Sequence, residues 1–470
     1  MEELNDSDVD PDHEITCCGM KTSVFSNEEL FFESQSLGTV VDPRCGGCKC
    51  SKCPVPGSKY SFKEQREYDI INDNLFRMEG IRRWFTSYPW HCKRNVLPKN
   101  DRIAYQCLLT LEKNLSKNPE LAEDFCQQID DMVERGAAII FSEEELRKWD
   151  GDYYYLPMVG VKGKKRLRVC FDASRRQGGC PCMNDCVLKG PDRFVNNLLA
   201  VVIGFRNGRV GAAADIKKFH NQVYLIEKDI HMQRYLWRGM DKNALPQTYA
   251  VRVNNFGVKP ANCIATCALH KSADSFAELY PLESKEIKDQ TYIDDELVAA
   301  VDRKAVLLKT CRMDEIAEHA GMPNKGWTFS YDESSSDVSI GSEAGDSEER
   351  VLGLLWVPSA DTFNFRVILK LKTESGELKI TSCEEFKRIQ SHLELTRRVL
   401  LANVASIFDP VGFLCPIILE SKLLMRESWC GNIVGWDVPI PEDQANRWMT
   451  FFVIIVESRR YKIPEKSLAG

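Results

Sequence analysis

Two adjacent carboxylates, Asp294 and Asp295, follow the β-forming pair Tyr292-Ile293, a pattern that predicts the turn of a hairpin. A third, Asp215, closes the small apolar run Val210-Gly211-Ala212-Ala213-Ala214, which predicts a buried strand opening onto a site. Together the three could hold two divalent cations, which activate a 3′-hydroxyl and stabilise a pyrophosphate leaving group. Mg²⁺, or Mn²⁺, suits such a sparse set, because Mg²⁺ prefers a few carboxylates plus substrate phosphates to an all-protein cage. An Asp-Asp pair alone is a solvated turn, so the rest of the chain decides between the two readings.

Two other groups of residues could do chemistry. The run Lys162-Gly163-Lys164-Lys165-Arg166-Leu167-Arg168 concentrates positive charge, with Arg175, Arg176, Arg206 and Arg209 nearby. A groove needs positive potential only where a phosphate backbone lies, so a net charge of −7 excludes only a uniformly basic binder. Cys45, Cys48, Cys50 and Cys53 form a thiolate-rich run that could take a structural Zn²⁺, with Cys17 or Cys18 as added ligands. The ligand pairs are closer than in ordinary zinc ribbons. Cys180, Cys182 and Cys186 read as buried thiols.

The acidic N-terminus, Met-Glu-Glu-Leu-Asn-Asp-Ser-Asp, lacks the basic start of a signal peptide. The longest apolar runs, 198–205 and 451–456, are too short to span a bilayer. The expectation is an intracellular chain, cytoplasmic by preference, with no membrane partner and its 19 cysteines reduced. At 470 residues it should hold two to four structural units.

The elements that would position these residues divide the chain as follows. Residues 1–60 are an irregular acidic, Cys-rich linker with the possible zinc site. Residues 61–150 are helical, with 105–115 and 120–136 carrying apolar residues at helical spacing and Gly136 closing the second helix. Residues 153–172 predict a hairpin, 192–206 a helix, 249–254 a strand, 261–277 a helix and 304–320 another. Residues 332–350 predict a loop, and 351–357 and 363–371 predict one strand each. From 382 onward the pattern is helical, broken at Asp409-Pro410 and at 439–441.

Taken in order, these segments closely resemble the reverse transcriptase of BEL/Pao-type retrotransposon Pol polyproteins, over about 31–448. The resemblance is carried by Leu167-Arg168-Val169-Cys170-Phe171-Asp172-Ala173-Ser174, Met183-Asn184-Asp185, Phe256-Gly257-Val258 and the Tyr-Ile-Asp-Asp turn. Further along it rests on Gly321-Met322-Pro323-Asn324-Lys325-Gly326-Trp327 and Val351-Leu352-Gly353-Leu354-Leu355-Trp356. Ala405-Ser406-Ile407-Phe408-Asp409-Pro410-Val411-Gly412-Phe413 and Gly435-Trp436-Asp437 resemble the Pao-specific region that follows the polymerase.

The resemblance implies an α+β fold, the right-hand polymerase of fingers, palm and thumb. Fingers and palm would occupy 151–335, an acidic loop and primer-grip strands 336–381, and a Pao-specific helical thumb or connection 382–470. It implies Mg²⁺ at Asp215, Asp294, Asp295 and the Ile216 carbonyl, and Lys325 as general acid to the leaving pyrophosphate. Arg168, with Lys164 or Lys165, would clamp the triphosphate, since a guanidinium fork matches phosphate oxygens.

Gly257 would let the backbone approach the nucleotide, with Tyr292 beside it, and Gly353, Leu354 and Trp356 would form the primer grip. Two departures stand out. Relatives carry a Pro six positions after the Phe, where this chain has Asn262, with Pro260 two earlier. The aromatic sugar gate falls on His220, with Phe219 beside it. Asp172 reads as a supporting partner rather than a ligand.

The implied partners are an RNA template, a DNA primer and deoxynucleoside triphosphates. One alternative is a truncated, non-catalytic retroelement relic that binds nucleic acid or a protein. Another is an aspartic peptidase, against which stands the lack of Asp-Ser-Gly and Asp-Thr-Gly. The chain is expected to begin downstream of a protease, with no ribonuclease H or integrase constellation after Trp448.

Overall fold

The computed structural model describes residues 60–162, 167–330, 349–365, 367–373, 376–389, 393–429, 435–458 and 462–463, with the short strands Thr16–Cys17 and Met20–Lys21. The cluster of Cys45, Cys48, Cys50 and Cys53, Lys164, Lys165 and most of the acidic stretch 332–350 lie outside the described residues.

The first half supplies helices α1 (Asp101–Leu115) and α2 (Pro119–Glu134), then the hairpin β1 (Met158–Lys162) and β2 (Leu167–Phe171). Helix α3 (Leu198–Phe205), strand β3 (Val210–Ile216) and helix α4 (Ala261–Ser275) follow. Next come β4 (Thr291–Tyr292), β5 (Asp295–Ala300), helix α5 (Arg303–His319) and β6 (Asn324–Phe329). The remainder supplies strands β7 (Glu349–Val351), β8 (Leu354–Val357) and β9 (Thr362–Asn364). Helices α6 (Arg397–Ala405), α7 (Cys415–Trp429) and α8 (Glu442–Glu457) end the list. The described architecture is therefore mixed α and β, as expected.

Local chemistry explains the boundaries. Asn118 caps α2 by accepting the Leu121 N–H, Pro119 stands in its first turn, and Gly136 turns left-handed at φ +70 beyond its end, the asymmetry expected of helix ends. The strands β4, β5, β3 and β6 pair in that order, antiparallel throughout. Because side chains alternate across a strand, Ala212, Ala214, Ile216 and Val298 face the main core, which also buries Phe171, Phe219 and Ile264. Ala213 and Leu297 face a smaller cluster shared with Val201, Val202 and Phe205 of α3 and with Leu352, Trp356 and Phe363. A further core joins Leu369, Leu371 and Phe386 to Leu400, Trp448, Phe451 and Phe452 of the C-terminal helices.

Three expected elements differ. The helix expected over 192–206 starts only at Leu198, because Asn196 donates its side-chain amide to the Lys288 and Thr291 carbonyls and Asn197 caps the shortened helix. The strand expected over 351–357 is a hairpin: Leu352 and Gly353 both take positive φ (52 and 84), and Val351 pairs with Leu354. The strand expected over 363–371 is two, since Phe363 lies in the cluster beneath β5 and Leu369 in the C-terminal core.

Candidate active site

The register of β3 and β5 sets Asp215 directly opposite Asp295. By strand alternation both lie on the face of Ala213 and Leu297. Two like charges directly opposed in a sheet are destabilising, and small residues upstream leave nothing else to justify them. Asp294 occupies the two-residue turn between β4 and β5 with Ile293, whose φ is +61. A β-branched residue in that region costs about 1–3 kcal/mol, a strain that clusters at functional sites. The Asp294 carbonyl accepts the Ile216 N–H at 2.8 Å, which ties the turn to the end of β3.

The electrostatics follow from that crowding. Burial, then Asp294 and Asp215, push the Asp295 carboxyl up to about 7, against a smaller pull from Lys325 and the Leu352 N–H. Burial and then Asp215 raise Asp294 in the same way. A β-bulge between Asn324 and Trp327, with Gly326 at φ +118, lets β6 present Lys325 to this group. Lys325 Nζ lies 2.6 Å from Asp215 Oδ1, a buried oxygen that no aligned hydrogen bond satisfies.

Among the described residues no three Asp, Glu, His or Cys side chains form a ready-made metal cage, and Lys325 is paired with Asp215. Their chemistry nonetheless fits Mg²⁺, which takes few carboxylates and completes its shell with phosphate and water. Lys325 is paired with Asp215, while burial and the neighbouring carboxylates raise Asp294 and Asp295, a charge cost that a cation would relieve.

Beside Asp294 opens a cavity of about 630 Å³ between α2, β2 and the segments around 218–221 and 255–256. Arg168, exposed, and His220, half-buried, both line it. Burial pushes the His220 imidazole down, and the ring packs edge-on between Phe219 and Phe256. Phe219 touches the cavity but is only 2% exposed, and serves the core.

Asp215, Asp295, Lys325 and Tyr292 do not line the cavity; the Tyr292 ring packs against the cluster beneath β5. Gly257 departs from the expected reason for a glycine. At φ +109, a Cβ there would stand 2.8 Å from the Phe171 carbonyl, so its close approach is to β2, while Phe256 and Asn255 face the cavity. Asn184 fastens this turn, donating to the Gly257 carbonyl at 2.9 Å and accepting the Lys259 N–H at 2.8 Å. Pro260 immediately precedes α4, which accounts for the displaced proline. Asp172 accepts the Ser174 N–H, and Cys180 is exposed where a buried thiol was expected.

Sequence reasoning missed one wall. Asp124, Gln128, Asp131 and Arg135 line the cavity from α2 and just beyond, with Asp131 paired to both Arg135 (3.0 Å) and Lys218 (2.7 Å). Their spacing of three, four and seven is a polar helical stripe, which was the available signal. Leu354 and Trp356 of the expected primer grip are buried, and Trp356 donates to Asp361 at 2.8 Å. The Leu352–Gly353 turn packs closer to the carboxylates: Leu352 shares a cluster with Ala213 and Leu297, on the strand face that carries Asp215 and Asp295.

Residues 396–468 match the family model of the Pao retrotransposon-like RNaseH-like domain. No curated protein matches the chain. The match supports a Pao retrotransposon Pol region, the class the C-terminal motifs resembled. Its described residues comprise mainly α6, α7 and α8, which pack around the C-terminal core. Among the described residues no helix is long and apolar enough to cross a membrane.

Proposed function

We propose that this chain is the reverse transcriptase segment of a retrotransposon Pol polyprotein, an RNA-directed DNA polymerase that extends a primer from deoxynucleoside triphosphates. The observation that carries this reading is Asp215 set opposite Asp295, with Asp294 on the adjoining turn at the edge of a 630 Å³ cavity. On this reading the β1–β2 hairpin belongs to the fingers and the four-stranded sheet to the palm. The helices after residue 382 would serve as thumb or connection.

Asp215, Asp294, Asp295 and the Ile216 carbonyl would hold two divalent cations, whose chemistry is to activate the primer 3′-hydroxyl and carry the leaving pyrophosphate. Arg168 would orient the triphosphate by its planar fork. Arg135 and Lys218 line the same cavity, each paired with Asp131. The neutral His220 ring would stand against the ribose. Lys325, 2.6 Å from Asp215, would serve as general acid to the departing pyrophosphate.

The test is template-directed extension: the purified chain, a DNA primer, an RNA template and Mg²⁺ should add only the deoxynucleotide that the template specifies. The RNaseH-like description of the matched segment favours a second reading, a retroelement part that binds nucleic acid without polymerising. Tight primer–template binding with no nucleotide addition would select it.

A further inference from the structure

We propose that Phe408, in the loop between α6 and α7, is a positioning residue for the candidate active site, its ring bracing the Leu352–Gly353 turn that packs against the strand face carrying Asp215 and Asp295. The functional consequence rests on the polymerase reading; the brace itself does not. The turn needs support, because Leu352 at φ +52 occupies a region that costs a non-glycine residue about 1–3 kcal/mol.

The support is the Phe408 ring. A Cβ built on Gly353 would stand 2.7 Å from Phe408 Cε1 and 3.2–3.3 Å from Cζ and Cδ1, so only glycine admits the ring against the backbone here. The loop that carries Phe408 is fastened at both ends. Asp409 accepts the Phe413 N–H at 3.1 Å and the Leu414 N–H at 2.7 Å, while Gly412 turns at φ +79. Val411 packs into the same cluster as Leu352.

Phe408 itself stays 42% exposed, which an ordinary core phenylalanine would not. The chain of contacts is therefore Asp409 to loop, Phe408 to Gly353, and Leu352 into the cluster of Leu297 and Ala213, whose strand face carries Asp295 and Asp215. It links the segment matched to the Pao family to the strands that carry the carboxylates, although that segment supplies none of them.

The experiment uses the full chain and its Phe408→Ala, Phe408→Leu and Phe408→Tyr variants, each checked for cooperative melting. Amide hydrogen exchange across 349–357 reads the turn, and single-turnover deoxynucleotide addition reads the site. Phe408→Ala should speed exchange across the 349–357 hairpin by about tenfold or more. It should slow addition by about ten- to a hundredfold with little change in deoxynucleotide half-saturation. Phe408→Tyr should restore both; Phe408→Leu, which keeps the apolar contact without the flat ring, should fall between and stands in if Phe408→Ala fails to melt cooperatively.

Unchanged exchange in Phe408→Ala and Phe408→Leu would overturn the brace, as would slowed addition with exchange at the wild-type rate. Altered exchange in a protein whose wild type adds no nucleotide would uphold the brace and remove the polymerase reading.

Discussion

Asp295 carries the clearest consequence of the site. Its carboxyl, pushed up to about 7 by burial and by Asp294 and Asp215, holds a proton in the folded chain that it loses near pH 4 when unfolded. Its contribution to stability is therefore full below about pH 4 and lost as pH rises toward 7. In chelator, Asp295→Asn should flatten this decline and gain on the order of 1 kcal/mol at pH 7.5, measured by urea denaturation across that pH range. Mg²⁺ should stabilise the wild type more than the variant.

At His220 the neutral ring is the expected barrier to a 2′-hydroxyl. His220→Ala should cut selectivity for deoxynucleotides by roughly tenfold or more, read from single-nucleotide incorporation. These residues were legible in the sequence because their chemistry resides in residue type and order. Asp131, Arg135 and Lys218 were not singled out, because a polar helical stripe looks like a solvated face until a cavity lies against it.

Elements show where sequence patterns fail. The Tyr-Ile-Asp-Asp turn was readable as a hairpin, yet the Leu352–Gly353 turn was read as a continuous strand, because apolar residues flank it and Leu rarely takes positive φ. Gly257 was recognised as necessary but for another contact: its missing Cβ makes room for the Phe171 carbonyl. Gly257→Ala should cost about 1–3 kcal/mol and loosen β2, and with it Arg168, as thermal melting and weaker deoxynucleotide binding would report.

His231 offers a second element-scale test. It lies 3% exposed, stacked between Trp149 and Phe141, with Arg234 donating to its Nδ1, and burial pushes it down to about 4. A histidine depressed on folding contributes stability fully above about pH 6.5, lost as pH falls toward 4, a trend opposite to that of Asp295. His231→Phe should remove that acid-side loss and leave the Asp295 trend exposed, in the same denaturation series.

Across the whole molecule, a net charge of −7 coexists with the basic run Lys162-Gly163-Lys164-Lys165-Arg166-Leu167-Arg168, whose Arg168 lines the cavity. Binding of primer–template should therefore weaken by about tenfold or more between 50 and 200 mM salt, a slope that filter binding measures. The mixed α and β class and the helical C-terminal end were legible from periodicity. The meeting of the C-terminal loop with the Leu352–Gly353 turn was not, since it depends on contacts far apart in sequence.

The central claim is that Asp215, Asp294 and Asp295 run templated nucleotide addition. Its most direct test is Mg²⁺-dependent extension of a DNA primer on an RNA template by the wild type beside Asp294→Asn. The account predicts templated extension by the wild type and a loss of about a hundredfold or more in the variant. Equal extension by both proteins, or none from a folded wild type that binds the primer–template, would contradict it.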